Sequence, residues 1–248
     1  MKVLITGGSG FIAANLINYF SSKNCEIAVI NRRSMSCKNL LKQYNGDITN
    51  YKFVSDSVED FQPSHVFHLA AFKERSSNVK DISNSISTNL LGTLNLYQSL
   101  LNIENLISVI TLGTTDEYGE CNSPFHEKLK EMPTTSYGFS KFCATKLSEL
   151  FFRNFNLPVT ILRPTIAYGP HQGLDMFIPS LINSLMRNKE YKMTLGEQNR
   201  DFIYISDLID VMILLINEPE YYGQVFNIGS GQSIKIKQVA SIVANLLN

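Results

Sequence analysis

A glycine-rich turn between an apolar run and an amphipathic stretch opens this chain, and it limits the folds the remaining residues can adopt. Lys2–Thr6 reads as a buried strand, Gly7-x-x-Gly10-x-x-Ala13 as the turn, and Phe11–Ser22 as a helix. Glycine lets the backbone turn tightly and approach a pyrophosphate, whose charge then meets the helix N-terminus. Ala13 replaces a third glycine, and its methyl group still permits close packing of helix on strand. A glycine turn ahead of a helix is a weak signal alone. Its weight comes from the rest of the chain.

The strand–helix rhythm continues. Glu26–Asn31, His65–Leu69, Leu106–Leu112 and Val159–Arg163 are short apolar runs of the kind buried in parallel sheets. Between them Val79–Leu101 and Tyr137–Asn154 carry helical periodicity. Such alternation predicts an α/β fold, a doubly wound parallel sheet occupying residues 1–169. Beyond Pro170 the rhythm changes to a helix near Phe177–Asn188, a short strand pair, and helices near Ser206–Asn217 and Lys235–Leu247. Residues 170–248 are therefore expected to form mainly a small lobe over the carboxyl edge of the sheet, where ligands bind in such folds.

Hydrophobic residues at 44% and charged residues at 18% suit a chain that buries a core. Lys and Arg total 22, as do Asp and Glu, so no electrostatic footprint for nucleic acid or an anionic membrane is present. Cys25, Cys37, Cys121 and Cys143 lack metal-like spacing and read as reduced thiols, so no metal site is expected. The N-terminus reaches its glycines too soon for a signal peptide, and the apolar stretch near Val211–Ile216 is too short to span a bilayer. A cytoplasmic protein without nucleic-acid or membrane partners is expected.

Well downstream of the glycine turn stands Tyr137-Gly-Phe-Ser-Lys141. A Tyr and a Lys four residues apart on a helix share one face. There the ammonium favours the phenolate and lowers a phenol pKa that starts near ~10. Beside a hydride carrier, such a pair supplies the proton that carbonyl reduction or alcohol oxidation needs. At the end of the second strand stands Asn31-Arg32-Arg33 rather than the acidic residue that usually holds a free ribose 2′-hydroxyl. No carboxylate is there to repel a 2′-phosphate and two guanidiniums can pair with it. NADP(H) is therefore favoured, with NAD(H) the alternative.

The glycine turn and the Tyr/Lys pair together resemble the extended branch of the short-chain dehydrogenase/reductase superfamily, whose Rossmann-type members act on nucleotide sugars. His68-Leu69-Ala70-Ala71, Thr114 four residues before Tyr118-Gly119, Arg163-Pro164, Tyr168-Gly169-Pro170 and Arg200-Asp201-Phe202-Ile203-Tyr204 occur in that family's order and near its spacing. The resemblance implies a pyrophosphate site at Gly7, Gly10, Phe11 and Ile12, and an adenine flanked by Asp47 and Ile48. It also implies a ribose and nicotinamide path along Leu69, Ala70 and Ala71, a cofactor contact at Lys73, and positions near the nicotinamide at Asn89 and Pro164. His68 reads as a packed strand-end histidine.

The resemblance further assigns Tyr137 as general acid, Lys141 to the nicotinamide ribose and Thr114 as the hydrogen-bond donor to the reacting carbonyl. Substrate contacts are expected at Thr114, Asp116, His171, Phe177, Ile178, Pro179 and Arg200, the last clamping a diphosphate. Related 4,6-dehydratases carry Asp and Glu directly after the catalytic Thr. Counting back from Tyr118-Gly119 makes Thr114 that residue, which leaves Asp116 in the Glu position. Thr115-Asp116-Glu117 spells the dehydratase triplet only if the loop is one residue shorter.

On these grounds the leading expectation is NADPH-dependent reduction of a nucleotide-linked 4-keto-6-deoxyhexose. Leu195-Gly196-Glu197-Gln198-Asn199-Arg200-Asp201-Phe202 is similar to deoxysugar 4-ketoreductases. The alternatives are an NAD-retaining 4-epimerase, toward which Lys73 leans, a 4,6-dehydratase, or a non-catalytic dinucleotide-binding module. The resemblance also implies a homodimer built on Val79–Leu101 and Tyr137–Asn154, and a last lobe either shortened or partly missing relative to what is usual in the family.

Overall fold

The computed structural model describes residues 1–37, 39–74 and 78–247. Its strands are β1 (Lys2–Thr6), β2 (Glu26–Asn31), β3 (Lys42–Asn45), β4 (His65–His68), β5 (Ser108–Leu112), β6 (Val159–Pro164), β7 (Ile166–Tyr168), β8 (Asn199–Tyr204), β9 (Val225–Ile228) and β10 (Ser233–Lys235). Its helices are α1 (Phe11–Ser21), α2 (Tyr51–Phe61), α3 (Val79–Ser85), α4 (Gly92–Leu100), α5 (Ser136–Phe155), α6 (Phe177–Met186), α7 (Ile205–Leu215) and α8 (Ile236–Leu247).

Seven strands form one parallel sheet in the order β3-β2-β1-β4-β5-β6-β9. The expected doubly wound Rossmann-type fold is what the chain adopts. Alternate strand residues feed two cores, as a period of two requires. Val3, Ile5, Val29, Phe67 and Ile110 pack with α1 and α7, while Leu4, Ala28, Val66 and Val109 pack with α2, α4 and α5. The chain winds outward from β1 to β3 and then crosses to β4. The order therefore reverses between β1 and β4, and a crevice opens at their carboxyl ends.

β3 and α2 escaped the sequence reading for a physical reason. β3 is a polar edge strand, Lys-Gln-Tyr-Asn, with no fully buried residue. In α2 only Val54, Ser57, Val58 and Phe61 are buried, a stripe too thin to stand out. Its signal was Asn50, whose side chain accepts from the Phe53 N–H and caps the helix. The single helix expected over Val79–Leu101 is interrupted by a π-helical segment, Ile86–Leu91.

The second half is not one lobe. α7 buries Leu208, Ile209 and Met212 in the core that α1 shares, and β9 is the seventh strand of the large sheet. What stands apart is a three-stranded sheet, β10-β8-β7, with α6 and α8. The expected local strand pair is thus a single strand, β8, paired in parallel with β7 and antiparallel with β10, far away in sequence. No helix among the described residues is long and apolar enough to cross a membrane.

Because Leu208 is fully buried between α7 and the sheet, Leu208→Ala is expected to cost about 2–5 kcal/mol in urea unfolding. A loss below about 1 kcal/mol would place α7 outside the main core.

Candidate active site

A continuous cleft of about 1770 Å³ runs along the carboxyl edge of the sheet. Its first half is built by the β1–α1 turn. Gly7 has φ +72°, and a Cβ there would meet the Ala70 backbone at 2.8 Å, so only glycine lets β1 and the segment after β4 close together. The Gly10 N–H donates to the Gly7 carbonyl at 2.9 Å, and Gly10 is the N-cap of α1. Gly7, Gly10, Phe11 and Ile12 all line the cleft, as expected.

Asn31, at the end of β2, is buried, and its Oδ1 accepts from the Ser9 N–H at 3.2 Å. Its Nδ2 is buried without a hydrogen-bond partner in the protein. An orphaned donor in this place suits a ribose oxygen, so the residues fit a dinucleotide. Arg32 and Arg33 are exposed on the same rim. Asp47, Ile48, Leu69, Ala70, Ala71, Lys73 and Pro164 also line the cleft. Ile48 packs on Gly92, where a Cβ would lie 2.7 Å from it.

Asn89 is a correction. It is fully buried and outside the cleft, because the π-helical segment turns it onto the loop after β4. Its Oδ1 accepts from the Phe72 N–H, and its Nδ2 donates to the Phe72 carbonyl and to Ser140 Oγ. Thr88 lines the cleft instead. His68 is packed, as expected: Thr6 Oγ1 donates to its Nδ1 at 2.7 Å, and its Nε2 meets Thr93 Oγ1 at 2.8 Å. Thr93 donates onward to the Asn89 carbonyl, which makes the Nε2–H tautomer the consistent one. Burial pushes the His68 imidazolium down to about 3, so the ring is neutral.

The other half holds Thr114, Tyr137 and Lys141 together. Thr135 caps α5 by accepting from the Gly138 N–H at 3.0 Å, which starts the helix one residue before Tyr137. Lys141 lies one turn later and is 3% exposed. Burial pulls its ammonium down to about 8, against the attraction of the Glu117 carboxylate. Thr114 ends the loop after β5, its Oγ1 accepting from the Asp116 N–H at 3.2 Å.

Thr115 and Asp116 line the cleft, whereas Glu117 is fully buried beneath it. Glu117 Oε1 accepts from the Thr114 N–H, and its Oε2 takes Arg163 at 2.6 and 2.9 Å. Burial pushes this carboxyl up, and the guanidinium opposes that. Thr114, Thr115 and Asp116 thus face the cleft, and Glu117 lies beneath it.

Of the expected substrate residues, Arg200 lines both the cleft and a neighbouring cavity of about 140 Å³, which Phe177 and Ile178 also line. Pro179 reaches neither, being turned further around α6. His171 is exposed at a left-handed turn, φ +70°, and lines neither. Gln172 and Met176 of the same segment line both cavities and were missed, as were Ser123, Pro124 and Phe125. These are loop residues with no periodicity to mark them.

For a lysine lowered to about 8, the folded chain releases its proton before the unfolded chain does. Stability therefore rises with pH between about 8 and 10.5, by on the order of 3 kcal/mol from this group. Urea midpoints of dinucleotide-free wild type should climb through that window relative to Lys141→Met; parallel curves would show that Lys141 does not titrate there.

Residues 3–229 match the sequence profile of the NAD dependent epimerase/dehydratase family. The dTDP-D-glucose 4,6-dehydratase of Dictyostelium discoideum is 30% identical over 99% of this chain, and the chain spans 62% of that protein's length. The UDP-glucose 4-epimerase of Thermotoga maritima, solved with UDP-glucose, superposes with a TM-score of 0.91 at 25% identity, covering 100% of this chain and 82% of its own. The UDP-glucuronic acid 4-epimerase of Bacillus cereus, solved with UDP-glucuronic acid and NAD, gives a TM-score of 0.87 at 28% identity, covering 99% of this chain and 83% of its own. With its glycine turn, its Tyr/Lys pair and Thr114 assembled along one cleft, the chain belongs to the NAD dependent epimerase/dehydratase family, within the extended short-chain dehydrogenases/reductases.

Proposed function

We propose that this protein is a nucleotide-sugar oxidoreductase working at C4 of the hexose as an epimerase that retains its dinucleotide. The observation that carries this reading is the pairing of Thr114, Tyr137 and Lys141 in the cleft with a Glu117 sealed under it by Arg163. A dehydratase needs a second carboxylate over the sugar to take a proton from carbon. Of the carboxylates beside Thr114 only Asp116 lines the cleft, since Glu117 has both oxygens engaged beneath it, and Asp201 across the cleft accepts from Ser230 and Gly231. The names of the relatives support a nucleotide sugar, since both aligned structures hold a UDP-linked sugar. They reverse the order in which the sequence ranked a ketoreductase above an epimerase.

A bound dinucleotide supplies the hydride acceptor and donor. Tyr137 takes the proton from the sugar hydroxyl and returns it, and Thr114 donates a hydrogen bond to the same oxygen. Lys141, cationic at neutral pH with its value near 8, holds Tyr137 toward phenolate and binds the ribose. Arg200, at the junction of the cleft and the smaller cavity, pairs with the diphosphate.

A second reading, NADPH-dependent 4-ketoreduction, is favoured by one observation: Arg32 and Arg33 follow the orphaned Asn31 along the cleft, with no acidic residue at the end of β2. We also propose a homodimer through α3–α4 and α5, where Val79, Leu91, Phe139 and Leu150 are exposed; a monomer in sedimentation would overturn it.

Purified protein should carry dinucleotide and interconvert C4 epimers of UDP- or dTDP-hexoses without net cofactor use, as monitored by NMR. Tyr137→Phe should lower kcat by about 10²–10⁴-fold. Stoichiometric NADPH oxidation by 4-keto sugars, lost in Arg32→Ala/Arg33→Ala, would select the second reading. A 4-keto-6-deoxy product would overturn both.

A further inference from the structure

Arg163, in β6, is the largest wholly buried side chain among the described residues, and it does not itself line the cleft. Its guanidinium takes Glu117 Oε2 twice, Glu131 Oε1 at 2.8 Å and Tyr118 Oη at 3.0 Å. Two of these partners lead to the cleft wall. Glu117 accepts the Thr114 N–H at 2.9 Å through its other oxygen, and its own position closes the capping box over Thr115–Glu117. The Tyr118 ring, 4.9 Å from the guanidinium, carries the Phe125 ring stacked on it at 4.8 Å. Tyr118 Oη donates to Asn227 Oδ1, and Asn227 Nδ2 donates to the Phe125 carbonyl.

A buried ion pair adds little stability over a well-packed apolar pair, while breaking one leaves a costly unpaired charge. Stability therefore does not account for a guanidinium and a carboxylate at 0% exposure under the cleft. Geometry does. The planar fork of Arg fixes several acceptors at once, which no apolar side chain achieves.

We propose that Arg163 is a positioning residue of the reaction: through Glu117 it sets Thr114, and through Tyr118 it sets the Phe125 wall that faces the sugar. The inference rests on the oxidoreductase reading above. Thr114 touches the reacting oxygen; Glu117 and Arg163 act only through it. Removing the Glu117 charge leaves the Thr114 hydroxyl present but lets its loop drift. The loss then falls on kcat rather than on the dinucleotide.

The test is a double-mutant cycle between Glu117→Gln and Thr114→Val, using the nucleotide sugar that wild type turns over. Thr114→Val alone should lower kcat by about 10²-fold. Glu117→Gln alone should lower kcat by about 10-fold, with KM and bound dinucleotide within about two-fold of wild type. In the Thr114→Val background Glu117→Gln should cost less than about two-fold, because the group it positions is gone. A loss of the same factor in both backgrounds overturns the inference, since a general structural role would be additive. If Glu117→Gln does not fold, Glu131→Gln, at the rim with 11% side-chain exposure, takes its place. It should cost about three-fold alone and nothing beside Thr114→Val; additivity again overturns the inference. Wild-type protein that turns over no nucleotide sugar overturns the functional reading and this inference together, whereas turnover with additive losses overturns this inference alone.

Discussion

The seam between β1 and β4 is the constraint on which everything else in this protein depends. Thr6 pairs with His68 in the register of two parallel strands, and Thr6 Oγ1 accepts from both the Leu69 and Ala70 N–H groups just past the strand end. Its hydroxyl proton goes to His68, which is fixed on its far side by Thr93. Every donor in this buried chain meets an acceptor, which is the condition under which buried polar groups define a structure rather than weaken it. The consequence is local and large. The backbone of residues 69–71 is held against Gly7, and the two halves of the sheet diverge from that point to form the cleft.

This seam explains why so much of the cofactor half was legible in the sequence. Gly7 can only be glycine there, since its φ is positive and a Cβ would strike Ala70. Period and length alone give the strand before it and the helix after it. Tyr137 and Lys141 were legible for a similar reason: helical spacing is a geometric rule, and Thr135 supplies the cap that starts the helix in the right frame. Asn89 was misplaced because its segment is π-helical. The extra residue in the turn carries its side chain away from the cleft to bind Phe72 and Ser140. No pattern of residue types announces such a turn.

Between the dehydratase and the epimerase readings, sequence alone left two alignments of one loop. Packing treats the two carboxylates of that loop differently: Asp116 lines the cleft and Glu117 does not. The residue before Tyr118 must fit beneath the loop, in a place that is buried and faces Arg163. A carboxylate there is matched to a guanidinium and removed from solvent, so it cannot also reach a sugar. The same four letters, Thr-Thr-Asp-Glu, thus carry different chemistry according to which of them the capping box turns inward.

The substrate side was the least legible part, and its architecture shows why. β8 carries Arg200 and runs straight into α7, whose Leu208 and Met212 are locked in the main core. On its other flank Asp201 accepts from the Ser230 and Gly231 N–H groups after β9, and from Thr165 after β6. The strand that presents Arg200 is thereby fastened to the large sheet at two places, and the core dictates its position. By contrast, Gln172, Met176 and Ser123–Phe125 reach the cleft from loops. A loop side chain can change without disturbing either core, so neither hydrophobic period nor turn chemistry dictates it. Arg200 belongs to the rigid part and sits in a motif that the sequence shows. The loop residues on the opposite wall belong to neither core and left no pattern.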